Sequence, residues 1–249
     1  MVLRKVLEYL LVCWKETNYL KLYVEIISLT CAIILMSHSK RNGLKKTALI
    51  FNLGVFILFL GIDLAYAYFN IHKFNGSKKL CTKLMEGLNT SFSFIEFYTI
   101  SSVVNFGINI RALRNISTCV FCGVLITTII STLLFVNKQV SLEIKTISEF
   151  SSAINYALFT ALITSYYYYT YKNNIISTFT SPSIYALFAY SVLSLLFFPC
   201  AAYMVAQKEL LGFILNEYHF ILVSIVCLIL TYNVTCHKSA VVNYLEFKT

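Results

Sequence analysis

The chain has few charged residues, and this shortage excludes most of the classes to which a protein of 249 residues could belong. Asp, Glu, Lys and Arg make up 12% of the sequence, whereas they make up about 25% of an average soluble domain. Hydrophobic residues make up 58%, and the mean hydropathy is +0.73. The length would suit one or two soluble domains, but the apolar stretches leave room for none. The composition therefore predicts a polytopic membrane protein.

The sequence also lacks the motifs by which many enzymes are recognised. No Gly-rich phosphate loop, HExxH run or Ser-His-Asp grouping is present. The four histidines are scattered over predicted loops and span ends, which argues against haem or zinc. Cys119 and Cys122 form a CxxC, but they lie in an apolar run without a neighbouring His or acid, where cysteine behaves as a small apolar residue. We therefore expect neither an enzyme nor a bound cofactor or metal.

Seven apolar stretches predict an all-α membrane domain over residues 19–236. Each is close to the twenty or so residues that a helix needs to cross a bilayer, and a helix satisfies its own backbone in lipid. Residues 1–18 form an amphipathic segment, in which a helix over 2–14 would lie in the membrane interface, and residues 237–249 form a short tail. The predicted spans are 19–36, 47–69, 92–110, 116–136, 150–170, 184–206 and 214–236.

Short loops without acidic residues indicate the sidedness of the chain. The loop over 37–46 has four basic residues and the loop over 111–115 has two, and neither contains Asp or Glu. Such loops favour the cytosol, and basic residues beside spans explain the net charge of +9 without nucleic acid. The loop over 70–91 would be external, with Asn75 of Asn-Gly-Ser as a glycosylation site. Seven spans then predict an external N-terminus and a cytosolic C-terminus.

Two carboxylates lie inside predicted spans, where ionisable groups are costly and often functional. Asp63 lies about 9 Å from the end of span 2, and Glu96 lies about 6 Å from the start of span 3, at 1.5 Å per residue. Both would then face the external side and could bind a cation or an amine. Alternatively, Glu96 reaches the headgroups and Asp63 bonds to a neighbouring helix. Lys21 and Glu25 have the i, i+4 spacing of a local ion pair.

Span 3 carries polar residues at spacings of three and four, which predict a polar stripe on one helix face. Its members are Tyr98, Ser101, Ser102, Asn105 and Asn109. The stripe could line a cavity, so that Tyr98, Ser102 and Asn105 would bind a ligand together with the two carboxylates. It could equally hold helices together through interhelical hydrogen bonds.

Taken together, these positions resemble the rhodopsin-like superfamily of seven-helix receptors, particularly its divergent chemoreceptors. That family has an external N-terminus, a basic first inner loop, an acid in span 2, an arginine closing span 3 and a proline in span 6. The corresponding positions here are 40–46, Asp63, Arg111 and Pro199. The resemblance implies a ligand pocket among spans 3, 5, 6 and 7 and a hinge at Pro199. It also implies G-protein coupling at the inner ends of the helices, where Arg111 and Arg114 lie.

Two other functions fit the same composition. Ile110 stands where the receptor family has an acid before the arginine, and the loop over 137–149 has no cysteine for the family's usual disulfide. The chain could be a non-catalytic subunit or assembly factor of a membrane complex, with other membrane subunits as partners. It could also be a small solute transporter, although spans 1–3 and 5–7 show no convincing repeat.

Overall fold

The computed structural model describes residues 19–38, 43–72, 75–106, 110–137, 144–173, 181–206 and 210–236. Within these ranges the secondary structure is entirely helical, in agreement with the all-α prediction. The helices are α1 (Tyr19–Ser37), α2 (Gly43–His72), α3 (Asn75–Asn105), α4 (Arg111–Asn137), α5 (Ile144–Lys172), α6 (Ser181–Ala206) and α7 (Leu210–Cys236).

Three of the described helices are long and apolar enough to cross a membrane. The qualifying stretches are Gly43–Ala65 in α2, Arg111–Leu133 in α4 and His219–Cys236 in α7. A shorter apolar stretch, Pro182–Phe197, lies in α6. Long apolar runs form helices because each backbone N–H and C=O then finds its partner within the same segment.

The helices pack as a bundle in which α3 occupies a central position. Neighbours along the chain pack against each other, and α1 also packs against α7, which brings the first and last described helices together. Helix α3 contacts α2, α4, α5 and α6. A polar side chain on α3 can therefore meet side chains from several other helices at once.

Helices α2 and α3 pack closely because glycine provides the space at two levels. A Cβ atom added to Gly54 would lie 2.8 Å from Cδ1 of Ile95, and one added to Gly61 would lie 2.8 Å from Cδ1 of Leu88. From the first of these contacts to the second, the residue number rises along α2 and falls along α3. The two helices are therefore antiparallel, and the paired residues give their register.

Several predicted boundaries differ from the structure. Helix α3 begins at Asn75, not at 92, so the prediction of a loop over 70–91 is wrong for most of that range. The hydropathy pattern detects only the apolar part of a helix, whereas α3 continues into a polar stretch that contains three lysines. The predicted interfacial helix at 2–14, the tail at 237–249 and Asn109 lie outside the described residues.

Candidate functional site

The centre of the bundle contains a buried carboxylate that is held by two tyrosines. Glu96 of α3 is 3% exposed. The hydroxyl of Tyr156 on α5 donates to Oε1 of Glu96 at 2.8 Å, and the hydroxyl of Tyr190 on α6 donates to the same oxygen. The two hydroxyl oxygens lie 3.0 Å apart, and both tyrosines are buried. Three helices therefore meet through one carboxylate oxygen.

A fourth helix reaches this cluster through an imidazole ring. His219 of α7 stacks on Tyr190, with the ring centroids 5.7 Å apart and the ring planes 30° from parallel. We call Glu96, Tyr156, Tyr190 and His219 the polar centre. It connects α3, α5, α6 and α7, the helices that correspond to the four spans among which the receptor resemblance implied a ligand pocket.

Helical spacing explains why these side chains point inward. Glu96 shares a helix face with Thr99 and Ile100, and Tyr190 shares one with Leu187 and Ser194; all of these neighbours are buried. Residues three and four apart lie on the same face of a helix. The face of α3 that packs into the bundle therefore includes Glu96, and the corresponding face of α6 includes Tyr190.

The hydrogen bonds of Glu96 are unevenly distributed between its two oxygens. Both tyrosine hydroxyls donate to Oε1, and the described residues provide no hydrogen-bond donor to Oε2. Within the same ranges, no Lys or Arg forms an ion pair with this carboxylate. A buried carboxylate without a cationic partner is costly, and the two tyrosine hydroxyls offset part of that cost.

Asp63 belongs to a different part of the bundle. Gly54 faces Ile95 and Gly61 faces Leu88, so Glu96 lies level with the turn of α2 around Gly54. Asp63 is about 15 Å from that level along α2, at 1.5 Å per residue. The prediction that the two carboxylates lie at similar depth is wrong, because α3 begins earlier than predicted and places Glu96 deep in the bundle.

Asp63 is paired with a lysine from another helix. The ammonium group of Lys21 on α1 forms an ion pair with Oδ1 of Asp63 on α2, and both side chains are buried. Lys21 was predicted to pair with Glu25 on its own helix. Oε1 of Glu25 is buried and has no hydrogen-bond partner among the described residues. Packing of α1 against α2 supplies Lys21 with a buried partner that the sequence spacing alone does not reveal.

The predicted polar stripe of span 3 divides into parts with different surroundings. Tyr98 is 38% exposed on the outside of the bundle, and Ser102 is half-buried. The amide nitrogen of Asn105 donates to Oγ of Ser117 on α4 at 2.9 Å and to the carbonyl of Ser101 at 2.8 Å. The structure therefore brings none of these three into the polar centre, and Asn105 joins α3 to α4.

The remaining predicted residues lie at helix ends or within a helix. Arg111 and Arg114 are exposed in the first turn of α4. Pro199 lies within α6, which continues through that position to Ala206. Asn75 is the first residue of α3, so its sequon lies at the start of a helix instead of within a loop.

Composition and spacing offer no reason to combine Tyr190 and His219 with Glu96. Tyrosine is common in this chain, with 18 copies, so one more within an apolar span carries little information. His219 was placed at the entry of span 7, but α7 begins at Leu210 and the histidine lies more than two turns inside the helix. A predicted start of span 7 at residue 210 instead of 214 would have placed His219 inside the helix.

The described residues contain no group of three or more His, Cys, Asp or Glu that could hold a metal ion. The polar centre instead combines a carboxylate, two phenol groups and an imidazole, groups that can donate and accept hydrogen bonds. No protein-family model, curated protein or solved structure matches the chain.

Proposed function

We propose that this protein is an integral membrane receptor with seven transmembrane helices, which senses a small ligand at the polar centre. The observation that carries the proposal is the connection of α3, α5, α6 and α7 through Glu96, Tyr156, Tyr190 and His219. Ionisable side chains inside a membrane bundle often mark ligand or ion sites. The three helices that are long and apolar enough to cross a bilayer support the membrane location.

The chemistry of the centre favours a ligand with a protonated nitrogen. No described Lys or Arg forms an ion pair with Glu96, and an ammonium group would supply a positive charge beside this buried carboxylate. The ring of Phe159 lies edge-on to Tyr156, with the centroids 5.9 Å apart, and adds aromatic surface near the carboxylate. Aromatic rings stabilise cations that lie over their faces.

A ligand at this centre can alter the packing of α6. Tyr190 connects α6 to Glu96, and a ligand that takes over the carboxylate weakens that connection. Closer to the start of α6, the amide nitrogen of Asn233 on α7 donates to Oγ of Ser183 on α6 at 2.7 Å. Helix α6 is therefore held at two levels. This second contact lies at the same end of the bundle as Arg111 and Arg114, and its rearrangement would transmit ligand binding to the helix ends where a G protein would bind.

The test is binding of a protonated aromatic amine to the full-length protein in lipid nanodiscs. We expect phenethylamine to raise the melting temperature and 2-phenylethanol, a neutral molecule of similar shape, to have little effect. Glu96→Gln keeps the acceptor oxygen for the tyrosines but removes the charge, and it should weaken amine binding about thirtyfold or more.

Tyr98→Phe is the matched control, because Tyr98 lies on the same helix but on the exposed face. It should bind phenethylamine as the wild type does. Equal stabilisation by the amine and the alcohol, or unchanged amine binding in Glu96→Gln, would contradict the proposal.

A second candidate function is transport of a small cation or a protonated solute. The depth of Glu96 favours it, because a carrier binds its substrate near the middle of the membrane, and Glu96 lies about 14 Å along α3 from its last residue. Uptake of radiolabelled phenethylamine into proteoliposomes separates the two functions. A carrier moves the amine into the vesicle lumen, whereas a receptor binds it without accumulation.

A further inference from the structure

One end of the bundle carries exposed positive charge without acidic residues. We call this end of the bundle the basic end. It contains the ends of α1, α3, α5 and α7 and the starts of α2, α4 and α6. Four contacts define it: Lys45 donates to the carbonyl of His38, Asn105 to Ser117 and Asn233 to Ser183, and the ring of Tyr167 on α5 lies 5.8 Å from that of Tyr185 on α6. Within about two helical turns of these helix ends, the described residues include no Asp or Glu.

Four positive side chains at the basic end point outward, whereas Lys45 is half-buried. Lys46, Arg111, Arg114 and Lys172 are all exposed. Arg111 and Arg114 are three residues apart, so they project from one face of the first turn of α4. The opposite end of the bundle is mixed in charge, because its helix segments contain acidic residues as well as lysines. Among the described helices, the excess of positive charge therefore lies at the basic end.

Exposed tyrosines surround the same end. Tyr168 and Tyr171 near the end of α5 are 58% and 87% exposed, Tyr185 near the start of α6 is 61% exposed, and Tyr232 near the end of α7 is 60% exposed. The ammonium group of Lys172 lies 5.9 Å from the centroid of the Tyr168 ring. Tyrosines concentrate at the boundary between the apolar interior of a bilayer and its headgroups.

We infer that the basic end binds the headgroups of anionic phospholipids in the surrounding bilayer. Exposed apolar side chains continue from this end along the same helices, such as Leu125 on α4, Leu196 on α6 and Leu228 on α7. The arginines and lysines thus lie where headgroups meet acyl chains, which favours a lipid over a soluble acidic partner. Each basic side chain near an anionic surface contributes about fivefold to the association with it.

Lipid selectivity of the full-length protein tests this inference. The protein is reconstituted in phosphatidylcholine bilayers, and electron spin resonance compares the association of spin-labelled phosphatidylserine with that of spin-labelled phosphatidylcholine. We expect a several-fold preference for phosphatidylserine in the wild type, which decreases at high salt. Arg111→Gln combined with Arg114→Gln should lower the preference by a factor of about two or more, and the double Lys variant R111K/R114K should retain it.

Lys78→Gln combined with Lys79→Gln is the matched control, because these residues lie near the start of α3 at the opposite end. It should retain most of the preference. The inference is overturned if the wild type shows no preference, if both double variants lose it equally, or if R111K/R114K loses it. Competition by inorganic phosphate at constant ionic strength would also overturn it, because the site would then bind a soluble anion.

Discussion

Lys21 and Asp63 form a pair in which each residue depends on the other for a favourable environment. Breaking a buried ion pair leaves one uncompensated charge and costs about 3–5 kcal/mol. We therefore expect Asp63→Asn and Lys21→Met each to lower the stability of the bundle strongly. The double variant K21M/D63N removes both charges and should be more stable than either single variant.

Chemical denaturation of the purified protein in detergent micelles measures these differences. Lys46→Met provides the control, because Lys46 is exposed and its change should alter the free energy of unfolding by less than about 0.5 kcal/mol. If the effects of Lys21→Met and Asp63→Asn simply add, the two residues do not act as a pair.

The hydroxyl of Tyr190 should stabilise the protein through the carboxylate of Glu96. Tyr190→Phe removes one of the two donors to Oε1 and should cost about 1–3 kcal/mol. In a Glu96→Gln background the cost should be smaller, because the acceptor is no longer charged. Tyr185→Phe on the same helix should have almost no effect, since Tyr185 is 61% exposed.

Melting temperatures of the four members of this double-mutant cycle, together with Tyr185→Phe, provide the comparison. Coupling between Tyr190 and Glu96 within the usual range of about 0.5–3 kcal/mol is the expected result. Coupling near zero would mean that the hydroxyl and the carboxylate contribute independently.

At this scale, the sequence was informative about single residues and uninformative about their partners. Glu96 and Asp63 could be selected as candidates because a carboxylate in an apolar span is unusual. Which residues meet them depends on helix register and on packing across the bundle. Lys21 and Asp63 are 42 positions apart, and Glu96 and Tyr190 are 94 apart, so local spacing could not reveal either contact.

At the scale of helices, the close approach of α2 and α3 depends on Gly54. A larger side chain there would collide with Ile95, so Gly54→Leu should lower the stability by about 1–3 kcal/mol. Gly87 is the matched control on α3, because an added Cβ would meet nothing within 4 Å. Gly87→Ala should raise the stability by about 0.5–1 kcal/mol, since alanine favours a helix.

Circular dichroism during thermal unfolding of both variants measures the effect. Tolerance of Gly54→Leu would show that the helices do not pack at this distance, and destabilisation by Gly87→Ala would show that Gly87 does not face open space.

The positions of the helices were predictable from hydropathy, but their ends were not. Six of the seven predicted spans lie wholly within helices, and the third, predicted over 92–110, lies in α3 only up to Asn105. Long apolar runs of this length are typical of membrane-spanning helices. Their lengths differ, since a helix continues beyond its apolar part until the backbone finds a cap or a turn. For α3 this difference moved Glu96 from a predicted position near the surface to the polar centre.

At the scale of the whole molecule, the charge distribution predicts how the chain is oriented in a membrane. Lys46, Arg111, Arg114 and Lys172 are exposed at one end of the bundle, and basic residues beside spans are retained in the cytosol. Odd numbers of spans place the termini on opposite sides. We therefore expect the C-terminus in the cytosol and the N-terminus outside.

Glycosylation acceptor tags at each terminus of the full-length chain measure this orientation in cells. The N-terminal tag should be modified and the C-terminal tag should not, and Asn75→Gln reports whether the natural sequon at the start of α3 is used. The reverse pattern would place Arg111 and Arg114 outside and would contradict coupling to a G protein. Modification of both tags would mean an even number of spans, in which case one of the seven helices does not cross the membrane. Three of the described helices are apolar and long enough to cross a membrane. A helix that does not cross would therefore be one of the other four.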